Sequence, residues 1–273
     1  MVAIQDAYRC TVENYNKDNI GLGKSDEKWM KDVIRSGTIS DKIAALALKV
    51  QESPFHNLDA LEMLTAIVSK NEQRTVQLAL DAIKDLLLNN LLPNRKLVPL
   101  NCRMAMLMDP EITLAMKDST IMKVALLMYF EDVLKKAVEV VVSAVDSGMK
   151  SMVEFFKRSC MTVAVDMLKS KPEQEGRLLT LLVSRLGDHA SVVSSKCMEL
   201  LKGLLHTHPA MKLVVIKEVR QLIYKSQTKL RTIFTSVVFL SSITLVSWDN
   251  EAAVQLVDCY LSLFESALQG RKF

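Results

Sequence analysis

Glycine and proline are scarce in this chain, at 8 and 6 of 273 residues. A sheet protein joined by many tight turns needs more of both, so the scarcity favours long helices with short connections. Aromatic residues make up only 5% of the chain. That argues against a base-stacking surface for single-stranded nucleic acid. No uninterrupted apolar run reaches the roughly 20 residues that a membrane span requires. The longest, over 138–145 and 233–246, are broken by Glu, Ser and Thr. The start, MVAIQDAYRC, lacks the basic-then-apolar order of a secretory leader. Cysteine is also sparse: Cys10, Cys102, Cys160, Cys197 and Cys259 include no CxxC pair and are odd in number. They read as packed thiols in a reducing compartment rather than disulfides or zinc ligands. These absences predict a soluble, intracellular, all-helical protein.

What is present is apolar and regularly spaced. Hydrophobic residues are 49% of the chain, enough for a sizeable core, and Met, a gap-filling helix former, occurs 15 times. The net charge is +4, spread along the whole length, which permits an acidic partner without demanding one.

Helix starts and stops divide the sequence. A first helix is expected over 2–17, then a loop over 18–24 containing Gly21 and Gly23. Ser25 is a candidate cap for a helix with Trp29, Met30, Val33 and Ile34 on one face, ending at Gly37. Ser40 or Asp41 starts the next, with Ile43, Leu46, Ala47 and Val50 inward and Pro54 beyond it. Asn57 caps a fourth. A fifth, from about Glu72, carries Val76, Ala79, Leu80, Ile83, Leu86 and Leu87 and ends before Pro93. The stretch 94–120 reads as a loop plus a short helix, and 121–145 as one long helix or a broken pair. Gly148 punctuates before a helix over 151–169, and Pro172 suits the first position of another, with Glu173 and Glu175 in its first turn.

The best-patterned window is 176–209, GRLLTLLVSRLGDHASVVSSKCMELLKGLLHTHP. One amphipathic helix runs to Leu186, Gly187 and Asp188 turn the chain, and a second helix runs from Ala190 to His206 before Pro209. Two antiparallel helices of this length, with Asp in the turn, match a HEAT repeat. Such a hairpin has two apolar faces and hides only one against itself, so neighbours must stack into a superhelix. Helices over 212–224, 229–245 and 250–268 continue the pattern. About six units at the roughly 40–47-residue HEAT period are expected. The predicted fold class is therefore an all-α, HEAT/armadillo-like α-solenoid, with an N-terminal helix and linker over 1–24 and a repeat domain over 25–273.

Chemistry-bearing patterns are nearly absent. His206 and His208 lie two apart at a helix end with no converging ligand, and there they complement the helix dipole. Gly21-Leu22-Gly23-Lys24-Ser25 superficially echoes a phosphate loop but lacks the first glycine and a preceding strand. Cys160 and Cys197 sit among apolar residues and read as core. Glu131-Asp132 and Asp81/Asp85 lie on helices; Asp81 and Asp85 share a face near Lys84 and Arg74, as a solvated surface does. No catalytic residue, cofactor, metal or small-molecule substrate is expected. Two basic features remain: Arg95 with Lys96, and a set comprising Lys217, Arg220, Lys225, Lys229 and Arg231 around an inter-helix turn. Both are open to phosphate contact or to simple solvation.

Several segments together resemble one family. They are Lys28-Trp29-Met30-Lys31 followed by Ser36-Gly37-Thr38; Asp41-Lys42-Ile43-Ala44-Ala45-Leu46 with Gln51 and His56; and Asp85 through Leu97, whose Leu91-Leu92-Pro93-Asn94-Arg95-Lys96-Leu97 is the most specific piece. Tyr129-Phe130-Glu131, Lys171-Pro172-Glu173, Leu186-Gly187-Asp188 and His208-Pro209-Ala210-Met211-Lys212 follow in order. The chain resembles the N-terminal helical half of the CCAAT/enhancer-binding protein zeta family, from about Ser25 onward.

The resemblance implies a nuclear, nucleolar scaffold in early large-subunit ribosome assembly. Its implied partners are a second nucleolar-complex protein, other assembly factors and pre-rRNA, with no membrane. It assigns structural roles to Trp29, Gly37, Asp41, Pro93, Gly187, Asp188 and Pro209. Alternatives are a DNA-associated transcription cofactor of the CCAAT-binding type and a cytosolic HEAT adaptor. Family proteins are longer and carry a CBF region, so the chain is expected to be a fragment or a shortened relative. The stretch 103–123 is Met-rich and departs from the family.

Overall fold

The computed structural model describes residues 2–18, 24–70, 72–107, 118–225 and 228–268, with side chains described only from Trp29 in the second helix and to Arg103 in the sixth. Among them every regular element is helical, and the all-α expectation holds. The helices are α1 Val2–Asp18, α2 Lys24–Ser36, α3 Ile39–Glu52, α4 Leu58–Val68, α5 Gln73–Leu86, α6 Leu100–Leu107 and α7 Asp118–Met149. Then follow α8 Glu154–Ser170, α9 Glu175–Ser184, α10 Ser191–Thr207, α11 Lys212–Tyr224, α12 Leu230–Ser241 and α13 Asn250–Leu268. The chain divides into two compact units, 1–144 with 171–173, and 145–170 with 174–273.

In the first unit α3, α4 and α5 pack on one another and α2 packs on α3. Burying the apolar stripe of a helix contributes roughly 1.5–3 kcal/mol per large side chain. The α5 stripe from Val76 to Leu86 is buried as expected. On α3 the fourth inward residue is Ala45 rather than Ala47, because α3 meets both α4 and α5 and buries a face wider than one stripe. Trp29 is 60% exposed, against its expected place on the inward face. Among the described residues the half-buried positions are Met30, Val33 and Ile34 of α2 and Gly37 just beyond it, spaced i, i+3, i+4, i+7, and Trp29 falls at the margin of that stripe.

The start of α3 is Thr38, not Ser40 or Asp41. Thr38 Oγ1 accepts from the Asp41 amide while the Asp41 carboxylate accepts from the Thr38 amide, a reciprocal capping box. Asp41 is thus structural as the third residue of the helix. Tyr8 of α1 donates its hydroxyl to Phe55 O at 2.9 Å, and its ring lies 5.5 Å from those of Phe55 and Tyr129. Burial pushes the Tyr8 hydroxyl pKa up to about 12. The expected loop glycines, Gly21 and Gly23, the Ser25 side chain and the middle of the Met-rich stretch lie outside the described residues.

In the second unit α8 packs on α9 and α10, α9 on α11, and α11 on α12 and α13. α11 and α13 have the bounds expected from the sequence, whereas α12 stops at Ser241, four residues early. α7 is one continuous helix, not a broken pair, and it runs through Gly148 to Met149. Gly148 is therefore a contact glycine: a Cβ there would lie 2.3 Å from Cys160 Sγ.

Pro172 is not the first residue of α9. That helix begins at Glu175 after Gln174, which adopts the left-handed conformation with φ 56°. Glu173 is drawn away from the helix start into a buried interaction in the first unit. Gly187 closes a short 3-10 turn over Arg185–Gly187, and Pro209 opens another over Pro209–Met211. His208 in the bend before it places Nε2 2.8 Å from Lys169 O, and Lys212 Nζ meets Asp249 Oδ2 at 2.6 Å. Asp188 is not the cap of α10. The cap is Ala190, and Asp188 accepts from its amide at 3.0 Å from two residues upstream.

Candidate functional site

The segment richest in family-like residues is also the most heavily tethered loop. After α5 the chain makes a π-helical turn over Leu87–Leu91, a local underwinding that recurs at functional sites. It then leaves helix at Leu92 and Pro93. Leu91, Leu92, Leu97 and Leu100 are buried, and Asn94, Arg95 and Lys96 stand exposed between them. A proline here removes an amide that an extended, solvent-facing backbone would not pair.

Acidic side chains of α7 and of the segment before α9 take up the free amides that follow. Glu173 Oε2 accepts from Leu97 N at 2.7 Å, Glu131 Oε1 from Val98 N at 3.0 Å, and Asp132 Oδ1 from Leu100 N at 3.1 Å. Lys135 Nζ donates to Leu97 O at 2.9 Å and reaches Glu173 Oε1 at 3.4 Å. Lys171 Nζ donates to Asn94 Oδ1 at 2.9 Å.

Glu131 is the centre of this network. Arg95 forks onto it with Nη1–Oε1 2.5 Å and Nη2–Oε2 3.1 Å, and Arg103 Nη1 reaches Oε2 at 2.7 Å. Burial works to raise the Glu131 pKa. The hydrogen bonds from Arg95 and Val98, and the Arg103 and Arg95 charges, outweigh it and hold the pKa down to about 2. The same opposition lowers the Asp132 carboxyl: burial is overcome by Lys136 and the Leu100 amide. A bidentate guanidinium–carboxylate pair fixes orientation as well as charge. Arg95, one of the expected phosphate-contacting residues, is thus engaged within the protein, and Lys96 occupies the exposed crest beside it.

The network was not visible in the sequence. Glu131-Asp132 looks like an ordinary helix surface, and the partners of its two carboxylates in and after the loop are 28 to 36 residues distant in the chain. Glu131 lies inside one family-like segment and Glu173 inside another, and those two segments are the ones the loop joins.

The second basic set is separate and lies in the other unit. Lys217 pairs with Glu251 at 3.1 Å. Arg220 Nη1 donates to Gln255 Oε1 at 2.7 Å, and its guanidinium carbon sits 5.9 Å from the Tyr224 ring centroid. Lys225, Lys229 and Arg231 are exposed around the turn between α11 and α12. Lys229 is the cap residue of α12, which has no acid in its first turn.

Among the described residues no group of three His, Cys, Asp or Glu is placed to hold a metal ion, and no helix is long and apolar enough to cross a membrane. Cys160, Cys197 and Cys259 are buried. Burial pushes the Cys197 thiol up, and its Sγ lies 3.1 Å from Leu182 O, which suits packing rather than nucleophilic chemistry.

No family model matches the chain. Individual relatives do. Human CCAAT/enhancer-binding protein zeta is 33% identical over 258 residues, 94% of this chain and 24% of that protein. The ribosome biogenesis protein NOC1 of Chaetomium thermophilum is 33% identical over 263 residues, 90% of this chain and 25% of that protein. Nucleolar complex protein 1 of Drosophila melanogaster is 28% identical over 270 residues, 97% of this chain and 23% of that protein. The chain spans about a quarter of the length of these relatives. Over roughly nine-tenths of its own length, the chain therefore belongs to the CCAAT/enhancer-binding protein zeta and nucleolar complex 1 family.

Proposed function

We propose that this chain is a non-catalytic scaffold in nucleolar assembly of the large ribosomal subunit, holding pre-rRNA and assembly factors on a helical surface. The observation that carries it is the similarity to proteins named for ribosome biogenesis and for the nucleolar complex. Location in the nucleus and nucleolus, and a second nucleolar-complex protein as partner, belong to the same proposal. So does a HEAT-like repeat architecture of about six hairpins over 25–273, preceded by a helix and linker over 1–24.

The tethered loop supports the reading. Rigid display of a short exposed segment is what a scaffold needs, because ordering it before binding removes an entropic cost of association. Charge-assisted hydrogen bonds to Leu97, Val98 and Leu100 fix the crest carrying Asn94 and Lys96. Phosphate contacts are assigned to Lys96, Lys225, Lys229 and Arg231, with Arg95 and Arg220 holding their neighbourhoods. No cofactor or small-molecule substrate is invoked.

The test is ultraviolet crosslinking of the tagged full-length protein in cells, followed by sequencing of the bound RNA and by sedimentation. Reads concentrated on large-subunit precursor RNA, and co-migration with early precursors, are expected. Migration only with free cytosolic protein would instead support the adaptor alternative. The name of the human relative favours a second reading, a DNA-associated transcription cofactor. A promoter duplex bound no more tightly than a scrambled one, at matched salt, removes it.

A further inference from the structure

Between the 3-10 turn after α9 and the start of α12 lies a cavity of about 350 Å³. Gly187 makes it possible: a Cβ at this position would lie 2.7 Å from Thr232, so the turn and the helix approach as closely as the backbone allows. The turn side contributes Ser184, Gly187 and His189, and the helix side contributes Thr228, Lys229, Arg231 and Thr232, with Leu222 as the one aliphatic wall. No acid lines it. The nearest carboxylate in sequence, Asp188, is buried and already held by Lys157 Nζ at 3.0 Å and the Ala190 amide at 3.0 Å.

We infer that this cavity receives a backbone phosphate of single-stranded RNA, with Phe234 as a stacking platform for the adjoining base. The inference deepens the RNA-binding part of the proposed function and rests on it. The Lys229 ammonium, the Arg231 guanidinium, the His189 imidazole and the Thr232 hydroxyl line one space from two chain segments, while the Ser184 and Thr228 hydroxyls donate to the backbone carbonyls of Leu181 and of Leu222 and Lys225. That donor set fits a phosphodiester, whose two unesterified oxygens take several donors at once. The dipole of α12 adds a partial positive charge at the same place, unopposed by any acid in its first turn. The volume is at the small end of ligand pockets, right for one nucleotide and too small for a duplex.

Phe234 decides between nucleic acid and an acidic peptide. It lies one turn beyond Leu230 and three residues from Arg231 on α12, and its side chain is 69% exposed. Residues at i and i+3 are neighbours on a helix surface, about 5–6 Å apart at Cβ. An exposed ring beside a cationic pocket is the pairing that single-stranded binders use, phosphate on charge and base on aromatic. The low aromatic content of the chain argues against an extended stacking surface; one placed ring is enough for one base.

The experiment measures fluorescence anisotropy of a labelled oligouridylate of roughly 12 nucleotides with the full 273-residue chain across a salt series. The double variant Lys229→Ala with Arg231→Ala is compared with Lys70→Ala plus Lys202→Ala, which removes the same charge from exposed sites elsewhere. Binding weakened about tenfold more than in the control, with a salt slope shallower by about one, is expected. Phe234→Ala is expected to weaken binding about tenfold with the slope unchanged.

Equal losses in the two double variants would overturn the cavity assignment while leaving RNA binding intact. Absence of wild-type binding would overturn RNA binding by this region altogether. Tighter binding of polyglutamate than of RNA would assign the cavity to an acidic peptide and overturn the inference. A DNA oligomer of matched length bound tenfold more tightly than RNA would overturn the assignment to RNA.

Discussion

Lys157 Nζ sits 3.0 Å from Asp188 Oδ2, and the two side chains are only 15% and 5% exposed. The pair ties the first turn of α8 to the bend that precedes α10, and Arg185 adds a weaker contact at 3.9 Å. Removing one partner of a buried pair leaves the other charge uncompensated, at a cost of about 3–5 kcal/mol. Asp188→Ala also frees the Ala190 amide. We expect it to lower stability by about 3 kcal/mol, more than the ~1 kcal/mol of a surface helix cap. Urea unfolding at constant m is the measurement. Lys157→Met is expected to cost less, because Arg185 remains near the carboxylate. The double variant should fall well short of the sum of the two single losses.

Glu131 predicts an acid-labile loop. Its pKa is 4.5 in the unfolded reference and about 2 in the fold. A group depressed on folding adds stability that is complete above its unfolded pKa and is lost as pH falls through the folded one. The window is therefore about pH 4.5 down to 2. The contribution is about 2 kcal/mol once solvent around the half-exposed Arg95 is allowed for. Glu131→Gln should lose that much stability at pH 7 and little at pH 2, flattening the pH profile of thermal unfolding. Hydrogen exchange at the Val98 amide should quicken in the variant, since a neutral amide oxygen accepts more weakly than the carboxylate it replaces. A Glu131→Gln profile parallel to wild type from pH 7 to 2 would remove the charge from this account.

The contrast between those two carboxylates shows what the sequence carries. Helices with a clean stripe and a marked end, such as α11 and α13, are legible because local periodicity and burial agree. The capping box at Thr38 and Asp41 was legible too, as a threonine followed three residues later by an acid, and placing the start at Ser40 or Asp41 missed it. Asp188 stood out because it follows a glycine in a turn. Glu131 did not, because nothing adjacent distinguishes a solvated helix acid from one that collects Arg95, Arg103 and a backbone amide from far along the chain. The cavity beside Gly187 was half legible. Lys229 and Arg231 were marked by charge alone, whereas His189 and Thr232 join them only through the close approach of the turn to α12.

Gln174 is a place where the sequence opposes its own backbone. It is the one non-glycine residue with positive φ among the described residues, at 56°, and it precedes α9 without a side-chain cap. A β-carbon in the left-handed region costs about 1 kcal/mol, which glycine avoids. The gain is offset in part by the greater freedom glycine restores to the unfolded chain. Gln174→Gly is expected to raise stability by about 0.5 kcal/mol, seen as a small increase in the urea midpoint. Gln174→Val, β-branched at the same φ, should lower it by about 1–2 kcal/mol. The opposite order of these two variants would mean that the turn relaxes out of the left-handed region.

Gly148 makes the converse case, a glycine required by space and not by backbone angle. It lies within α7, where glycine costs helix stability of about 1 kcal/mol relative to alanine, so propensity alone favours Gly148→Ala. Packing opposes it. The added methyl would stand 2.3 Å from Cys160 Sγ and 3.1 Å from the Phe156 ring, both on the facing side of α8. Cys160 is 1% exposed and Phe156 6%, so neither side chain has solvent to move into. Overpacking of this kind costs about 1–3 kcal/mol, enough to cancel the propensity gain and leave a net loss of up to about 2 kcal/mol. Trimming the opposing group separates the two effects. In a Cys160→Ala background the clash with sulfur disappears and the cavity left by the thiol receives the new methyl. Gly148→Ala should there become neutral or stabilising, and the coupling between the two sites should reach about 1–2 kcal/mol in a thermal-unfolding cycle. If Gly148→Ala costs the same in both backgrounds, the close approach of α7 and α8 is not what holds this glycine in place.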